Sequence, residues 1–274
     1  MSITLIIPAY RNPNYLDLCL KSATENRKLD STEIIVVIDG YISESAAVIE
    51  KYKNARIGVI ELEHNGGFAN AINMGVWNAN TDIVFLANED NVFPKDWDAK
   101  LTKYDTTIVH NNTIITVNQI EPSPSIFGFP IHNFGVSVET FDYEAFIQKE
   151  EELSKPELTM DGRIFPFLIS KRDYMKIGGF DLWYKSPFWS DCDFFLKLEL
   201  CGNKFFRTHS CHLYHFGGRS TKMGPEGQKF RASESVASQQ FLYQWGFLPN
   251  IVENVFRNNT KIPAENPTIK GITF

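Results

Sequence analysis

The first hundred residues alternate short β-branched runs with segments of helical period, and that alternation leaves few folds open. Ile3 to Pro8 reads as a first strand. Asn12 followed by Pro13 supplies an N-cap and a first-turn proline for an amphipathic helix through Leu16, Cys19, Leu20 and Ala23. Glu33 to Ile38, Arg56 to Glu61 and Asp82 to Leu86 read as further strands. Ser43 to Tyr52 and Phe68 to Asn78 are the helices between them. The pattern predicts an α/β chain with a mainly parallel sheet flanked by helices. In such sheets ligands bind outside the carboxyl ends of the strands, so the loops there are the first place to look for a site. They are polar: Tyr10-Arg11-Asn12, Asp39-Gly40, His64-Asn65-Gly66-Gly67 and Asn88-Glu89-Asp90-Asn91.

Beyond residue 105 the alternation weakens. Pro122, Pro124, Pro130 and Pro156 predict an irregular region over 119–162 that covers the site. Order returns with a strand from Phe165 to Ser170, a helix through Met175, and a helix from Ser190 to Cys201 stopped by Gly202. A strand from Lys204 to about His215 and a last helix from Phe230 to Trp245 complete the chain. The expected organisation is a body over 1–216, with halves 1–104 and 105–216, and a basic segment and helix over 217–274.

Composition narrows the function classes. With 43% apolar residues and 22 Phe among 274, the chain has ample core material. Its formal net charge of −6 gives no broad basic field for a nucleic acid. The apolar runs are strand-sized, well short of the ~18 to 20 residues that span a bilayer. The amino terminus enters an apolar run without a basic segment or cleavage pattern, so it is expected to be a strand and the protein cytoplasmic. Cys19, Cys192, Cys201 and Cys211 form no CxxC pair and are expected to be reduced thiols. The Asn-x-Thr sequons at Asn111 and Asn258 are then chance occurrences.

Four constellations could carry chemistry. Asn65 to Gly75 sets small residues where a loop becomes a helix, which lets backbone approach a ligand and points free N–H groups at an anion. It is neither GxGxxG nor GxxxxGK[ST], so dinucleotide oxidoreductases and nucleoside triphosphatases lose their main support. Asn88-Glu89-Asp90-Asn91 offers four oxygen-bearing side chains at a strand end, suited to a hard divalent cation or to an Asx-rich turn. Trp189-Ser190-Asp191-Cys192-Asp193 opens an apolar helix, where Ser190 can cap and either aspartate can sit in the first turn. His209, Cys211 and His215 share one strand face if the strand is regular. Zinc, however, wants a second Cys or His pair that is absent nearby.

Taken in order, these pieces resemble the nucleotide-sugar-dependent glycosyltransferases of family 2, which have the GT-A fold. The resemblance runs from Ile3 to about Trp245. It rests on Pro8-Ala9-Tyr10, Asp39-Gly40, Asn65 to Gly75, Asn88-Glu89-Asp90, Ile177-Gly178-Gly179-Phe180-Asp181, Trp189-Ser190-Asp191-x-Asp193, Tyr214-His215 and Trp245-Gly246. The resemblance implies a GT-A type Rossmann-like nucleotide-binding sheet with a smaller acceptor-side region. Residues 1–104 would hold the nucleotide sugar, 105–216 the acceptor, and 217–274 would pack on or lid the site.

It further implies an inverting hexosyl- or deoxyhexosyltransferase that moves one sugar from a nucleoside-diphosphate sugar, UDP- or dTDP-linked, to a hydroxyl of a glycan, lipid-linked or small acceptor. Asp191 matches the catalytic base. Asp90 and His215 match the residues that hold Mn²⁺ or Mg²⁺ at the diphosphate. Pro8, Ala9, Tyr10, Asp39, Asn65, Gly67, Asn88 and Glu89 match nucleotide-sugar contacts, and Phe180, Asp181 and Trp189 acceptor or sugar contacts. Ile38, Asn88 and Ser190 stand where the family pattern carries acidic residues, which keeps a catalytically silent sugar-nucleotide or glycan-binding module as the alternative. Without membrane helices or a Gln-x-x-Arg-Trp motif the chain does not read as a processive synthase, although peripheral membrane contact stays compatible with it. A nucleotidyltransferase would need a glycine-rich loop that Pro8 to Asn12 lacks. Arg219, Lys222, Lys229 and Arg231 follow His215 and offer positive charge to the same phosphates.

Overall fold

The computed structural model describes residues 2–124, 127–217 and 224–251, with side chains omitted over 224–231. Strands β1 (Ile3–Ala9), β2 (Glu33–Asp39), β3 (Ile57–Leu62) and β4 (Ile83–Leu86) alternate with helices α1 (Pro13–Glu25), α2 (Ile42–Lys51) and α3 (Phe68–Asn78). All pairings among these strands are parallel, as the alternation requires. There follow β5 (Asn91–Val92), α4 (Trp97–Thr102), α5 (Asp105–Asn111), β6 (Thr113–Ile120), α6 (Tyr143–Leu153), β7 (Leu158–Thr159), β8 (Phe167–Ser170), α7 (Lys171–Lys176), α8 (Ser190–Leu200), β9 (Lys204–His215) and α9 (Gly224–Trp245).

One sheet runs through both halves of the chain in the order β3-β2-β1-β4-β8-β6-β9-β5, with β7 paired to β9. Strand β8 runs antiparallel to β4 and β6, and β9 lies parallel to β6. Both faces are covered. On β1 and β2, Ile6, Ile35 and Val37 face α3 and α8, whereas Leu5, Ile7, Ile34 and Val36 face α1 and α4. Successive strand residues point to opposite faces, so a sheet buried on both sides reads as the continuous apolar runs seen in the sequence. Gly75 is obligatory in this layer, because a Cβ there would lie 2.4 Å from Ile6 Cγ2.

The region expected to be irregular is partly regular. Helix α6 lies inside 119–162, capped by Asp142, whose Oδ1 accepts the Ala145 N–H at 3.1 Å. It buries Phe146 and Ile147 against Tyr214 and Phe216. The prolines around it mark loops, while its own apolar content is too small to announce a helix. Two capping expectations also change. Asn12 occupies the N-cap of α1 but its side chain makes no cap, donating instead to Glu89 Oε1 at 3.1 Å. Ser190 is the first residue of α8, with Trp189 at the N-cap, and its hydroxyl donates to the Pro187 carbonyl at 2.9 Å.

Strand β9 is not regular. Its register against β6 jumps between Val117↔Thr208 and Asn118↔His212, so the shared parity of His209, Cys211 and His215 breaks. Cys211 is buried in the core, and His209 bonds Asn118 at 3.2 Å and Thr159 at 3.0 Å. The three do not converge on a metal. All four cysteines are free. Among the described residues no helix is long and apolar enough to cross a membrane.

The same bulge buries His212 beside His209, Lys100 and Glu150, with its backbone N–H bonded to Glu150 Oε1 at 3.1 Å. Burial first, then the neighbouring His209 and Lys100, push its pKa down to about 4. The folded value lies below the unfolded one of ~6.5, so from pH 6.5 downward the unfolded chain binds the extra proton and stability falls. The loss is about 1.4 kcal/mol per pH unit and levels off near pH 4. Urea unfolding of the wild type and His212→Gln at pH 7 and pH 4.5 is expected to show a smaller acid loss in the variant, by about 2 kcal/mol. Equal losses would remove His212 as the cause.

Candidate active site

The carboxyl ends of β1, β2, β4 and β9 open on one cavity of about 320 Å³. Pro8, Ala9 and Tyr10 form its wall at β1. Asp39 enters from β2 and Asn65 and Gly67 from the turn before α3, while Asn88, Glu89 and Asp90 follow β4. Asp191 and His215 complete the wall. The structure therefore brings together every sequence-predicted site residue except Phe180, Asp181 and Trp189.

Asp39 is 4% exposed and grips the glycine turn, accepting the Gly66 N–H at 2.7 Å and the Gly67 N–H at 2.9 Å. Burial raises its pKa and those two hydrogen bonds pull it back. Gly67 has φ +87°, and a Cβ on it would meet the Lys185 carbonyl at 3.0 Å, so glycine alone lets the 185–189 strap lie over this turn.

The four oxygen-bearing residues after β4 divide their tasks. The Asn91 side chain accepts the Asn88 N–H at 2.9 Å and closes the turn. Glu89 accepts the Tyr10 N–H at 2.9 Å and the Asn12 amide at 3.1 Å, tying the β4 loop to the end of β1. Burial pushes the Glu89 carboxyl up to about 8 despite these bonds, with the Asp90 charge adding to the rise. Asp90 remains beside His215, because the antiparallel pairing of β5 with β9 sets Asn91 opposite His215. His215 Nε2 lies 3.5 Å from Asp90 Oδ1, and His215 Nδ1 lies 2.9 Å from Glu121 Oε1.

This donor set fits a divalent cation in part. A carboxylate sits beside an imidazole whose other nitrogen is oriented by a second carboxylate, the usual arrangement behind a histidine ligand. Among the described residues no group of three or more His, Cys, Asp or Glu side chains is gathered to hold a metal. Asp90 and His215 would thus supply two positions, and the phosphate oxygens of a ligand together with water the rest, as a hard cation prefers.

Asp191 stands in the first turn of α8, where its Oδ1 accepts the Cys192 N–H at 2.9 Å. It also lines a second, larger cavity of about 530 Å³ together with Pro187 and Phe188, which are likewise shared with the first. Trp189, Phe127, Asp161, Arg163 and Arg207 belong to this second cavity. Its two guanidinium groups are already engaged. Arg207 Nε lies 3.1 Å from Asp161 Oδ2 and its terminal nitrogens donate to the Phe127 carbonyl, while Arg163 pairs with Glu199 at 2.6 Å.

Helix α9 braces the strap between the cavities. Gln240 Nε2 donates to the Trp183 carbonyl at 3.0 Å, Tyr184 Oη to Gln244 at 3.1 Å, and Ser233 Oγ to Ser186 Oγ at 2.9 Å. Asp193 locks the same helix to α8: it is fully buried, accepts from Gln244 and the Trp245 indole at 2.9 Å each, and pairs with Lys197 at 2.7 Å. It lines neither cavity, so the two aspartates of one helical turn serve different ends. The basic residues Arg219, Lys222, Lys229 and Arg231 lie outside the described side chains.

Two expected contacts are placed elsewhere. The Phe180 ring is 1% exposed and stacks on Phe194 at 4.3 Å, with its backbone held by Asn73 at 2.9 and 3.0 Å, so it is core and not a sugar platform. Asp181 caps the 181–183 turn by accepting the Trp183 N–H at 2.9 Å and lies 3.5 Å from Lys197, away from both cavities.

The family profile described as Glycosyl transferase family 2 matches residues 4–218. The chain belongs to glycosyl transferase family 2. Among its relatives, the poly-β-1,6-N-acetyl-D-glucosamine synthase of Staphylococcus aureus is 30% identical over 95 residues, which are 34% of this chain and 23% of the synthase. The chain thus matches less than a quarter of that relative's length. S. aureus TarS 1–349 crystallised with UDP-GlcNAc superposes with a TM-score of 0.57 at 17% identity, covering 88% of this chain and 67% of TarS. GalNAc-T7 with UDP, GalNAc and Mn²⁺ gives 0.60 at 14% identity, covering 89% and 48%. These likenesses show the fold, GT-A.

Within the family 2 frame, sequence reasoning missed Glu121 behind His215, Lys185 and Phe188 on the strap, and the arginine-lined second cavity. Glu121 had no local signal, as it follows the end of β6 and meets His215 only through the shifted register with β9.

Proposed function

We propose that this chain is an inverting glycosyltransferase that moves one sugar from a UDP- or dTDP-sugar to a hydroxyl of a glycan or lipid-linked acceptor. The observation that carries this is the position of Asp191 on the wall common to two cavities, one of which ends at Asp90 and His215. The smaller cavity takes the donor. Asp39 and the Gly66-Gly67 turn it holds frame the base, and Tyr10 closes the β1 side. TarS with UDP-GlcNAc and GalNAc-T7 with UDP and Mn²⁺ support such a donor and such a cation.

The larger cavity takes the acceptor. Its aromatic walls, Phe127, Phe188 and Trp189, suit the CH faces of a sugar. The acceptor hydroxyl gives its proton to the Asp191 carboxylate as its oxygen attacks the anomeric carbon, and the bond from that carbon to the diphosphate breaks on the opposite face. A single displacement inverts the centre, the geometry of a nucleophile delivered opposite the leaving group. Asp90 and His215 would hold the divalent cation, Mn²⁺ or Mg²⁺, which when bound neutralises charge on the departing diphosphate. The division of labour follows the chain: 1–104 supplies most of the donor site, 105–216 the base and acceptor walls, and α9 the brace. Three buried free thiols accord with a reducing, cytoplasmic setting.

The test couples binding to turnover. Thermal melting of the protein with UDP-, dTDP- and GDP-sugars, with and without Mn²⁺, is expected to show one base class stabilising it, by about 2.7 kcal/mol at a hundredfold excess over Kd. Incubation of that donor with candidate acceptor glycans is expected to give a product of the opposite anomeric configuration by NMR. Donor binding without turnover on any acceptor would favour the silent binding module. A retained configuration would remove Asp191 as the base of a single displacement.

A further inference from the structure

The donor cavity is lined by four carboxyl side chains, Asp39, Glu89, Asp90 and Asp191, and by two basic ones, His215 and Lys185. A diphosphate entering it adds negative charge to an acidic wall. His215 is committed between Asp90 and Glu121. Lys185 differs: it is exposed, and among the described residues its ammonium forms no ion pair or hydrogen bond.

Its backbone is nonetheless fixed from two sides. The Lys185 carbonyl rests on Gly67, where a Cβ would come within 3.0 Å, and the flanking Tyr184 and Ser186 are bonded to Gln244 and Ser233 of α9. The anchored backbone brings the lysine to the cavity wall, and the flexible stem leaves its three donors free to follow an anion. We propose that the Lys185 ammonium binds the diphosphate of the nucleotide-sugar donor directly and supplies positive charge that the cavity's carboxyl groups do not. This rests on the smaller cavity being the donor site.

Isothermal titration of the full chain with UDP, dTDP and uridine, in Mg²⁺ at low and moderate salt, tests it in the wild type, Lys185→Met and Lys185→Arg. The methionine variant is expected to bind UDP about tenfold more weakly, the loss of one charge-assisted hydrogen bond. Its uridine affinity should stay within about twofold of the wild type, and its UDP affinity should depend less on salt. Arginine should restore most of the UDP affinity, and melting temperatures should agree among the three, since the side chain is exposed. UDP affinity unchanged in Lys185→Met overturns the proposal while leaving the donor site standing. Equal weakening of uridine and UDP overturns it too, by showing a role in cavity shape. A wild type that binds neither UDP nor dTDP overturns the donor-site assignment and the lysine contact together.

Discussion

Asp191→Asn is expected to lower kcat by about 10² to 10⁴-fold while leaving the donor Kd within twofold of the wild type. The carboxamide keeps the size of the side chain and an oxygen to accept the Cys192 N–H now bonded at 2.9 Å, so the first turn of α8 is preserved. What is lost is a group able to take a proton from the acceptor hydroxyl. Tenfold in rate corresponds to about 1.4 kcal/mol, so the expected effect is roughly 3 to 5 kcal/mol of transition-state stabilisation. Because the acceptor oxygen carries its proton until the displacement begins, the ground state of the donor complex is untouched, and the loss should fall on kcat and not on donor affinity. Asp193 cannot substitute: it is fully buried, holds Gln244, Trp245 and Lys197, and reaches neither cavity. Initial rates with titration calorimetry on the same preparations decide the matter. A rate within twofold of the wild type would leave the reaction without its assigned base.

The features that sequence reasoning found and those it missed differ by the range of the interactions that place them. Asp39, Asn88, Glu89, Asp90 and Asp191 each sit at the end of a strand or the first turn of a helix, where local periodicity gives both the element and its terminus. Their convergence then follows from the parallel sheet. Phe180 shows the limit. An aromatic after Gly178-Gly179 serves equally as core or as sugar platform from sequence, and the choice is made by Asn73, 107 positions away, which takes both backbone groups of Phe180. Glu121 and Lys185 were out of reach for the same reason. The first is brought to His215 by a register jump between β6 and β9, the second to Gly67 by a strap that α9 braces from the far end of the chain. Regular elements are written in neighbouring residues, whereas the second layer of a site is written in contacts between elements.

Removing Asp90 should abolish the metal dependence of donor binding. In the wild type, UDP affinity is expected to fall at least about tenfold when the divalent cation is chelated, whereas Asp90→Ala should bind UDP equally in saturating Mn²⁺ and in chelator. The argument is one of charge. Two unit charges ~4 Å apart interact by about 4 kcal/mol at an effective dielectric of 20, so a diphosphate placed against ionised Asp90 is repelled by an amount that can cancel its hydrogen bonds. A cation between them reverses the sign of that contact. Asp90 is the suitable anchor because its neighbours are committed elsewhere: Glu89 to the Tyr10 N–H and the Asn12 amide, and Asn91 to the Asn88 N–H. His215 alone, a neutral ligand held by Glu121 at 2.9 Å, leaves too few protein donors to fix the ion. Alanine at position 90 also removes the repelling charge. Its metal-free UDP affinity should therefore equal or exceed that of the chelated wild type, while uridine binding should not change in either protein. Calorimetry with UDP and uridine, in Mn²⁺ and in chelator, gives all four comparisons. An Asp90→Ala protein that still gains UDP affinity from Mn²⁺ would place the cation on other residues.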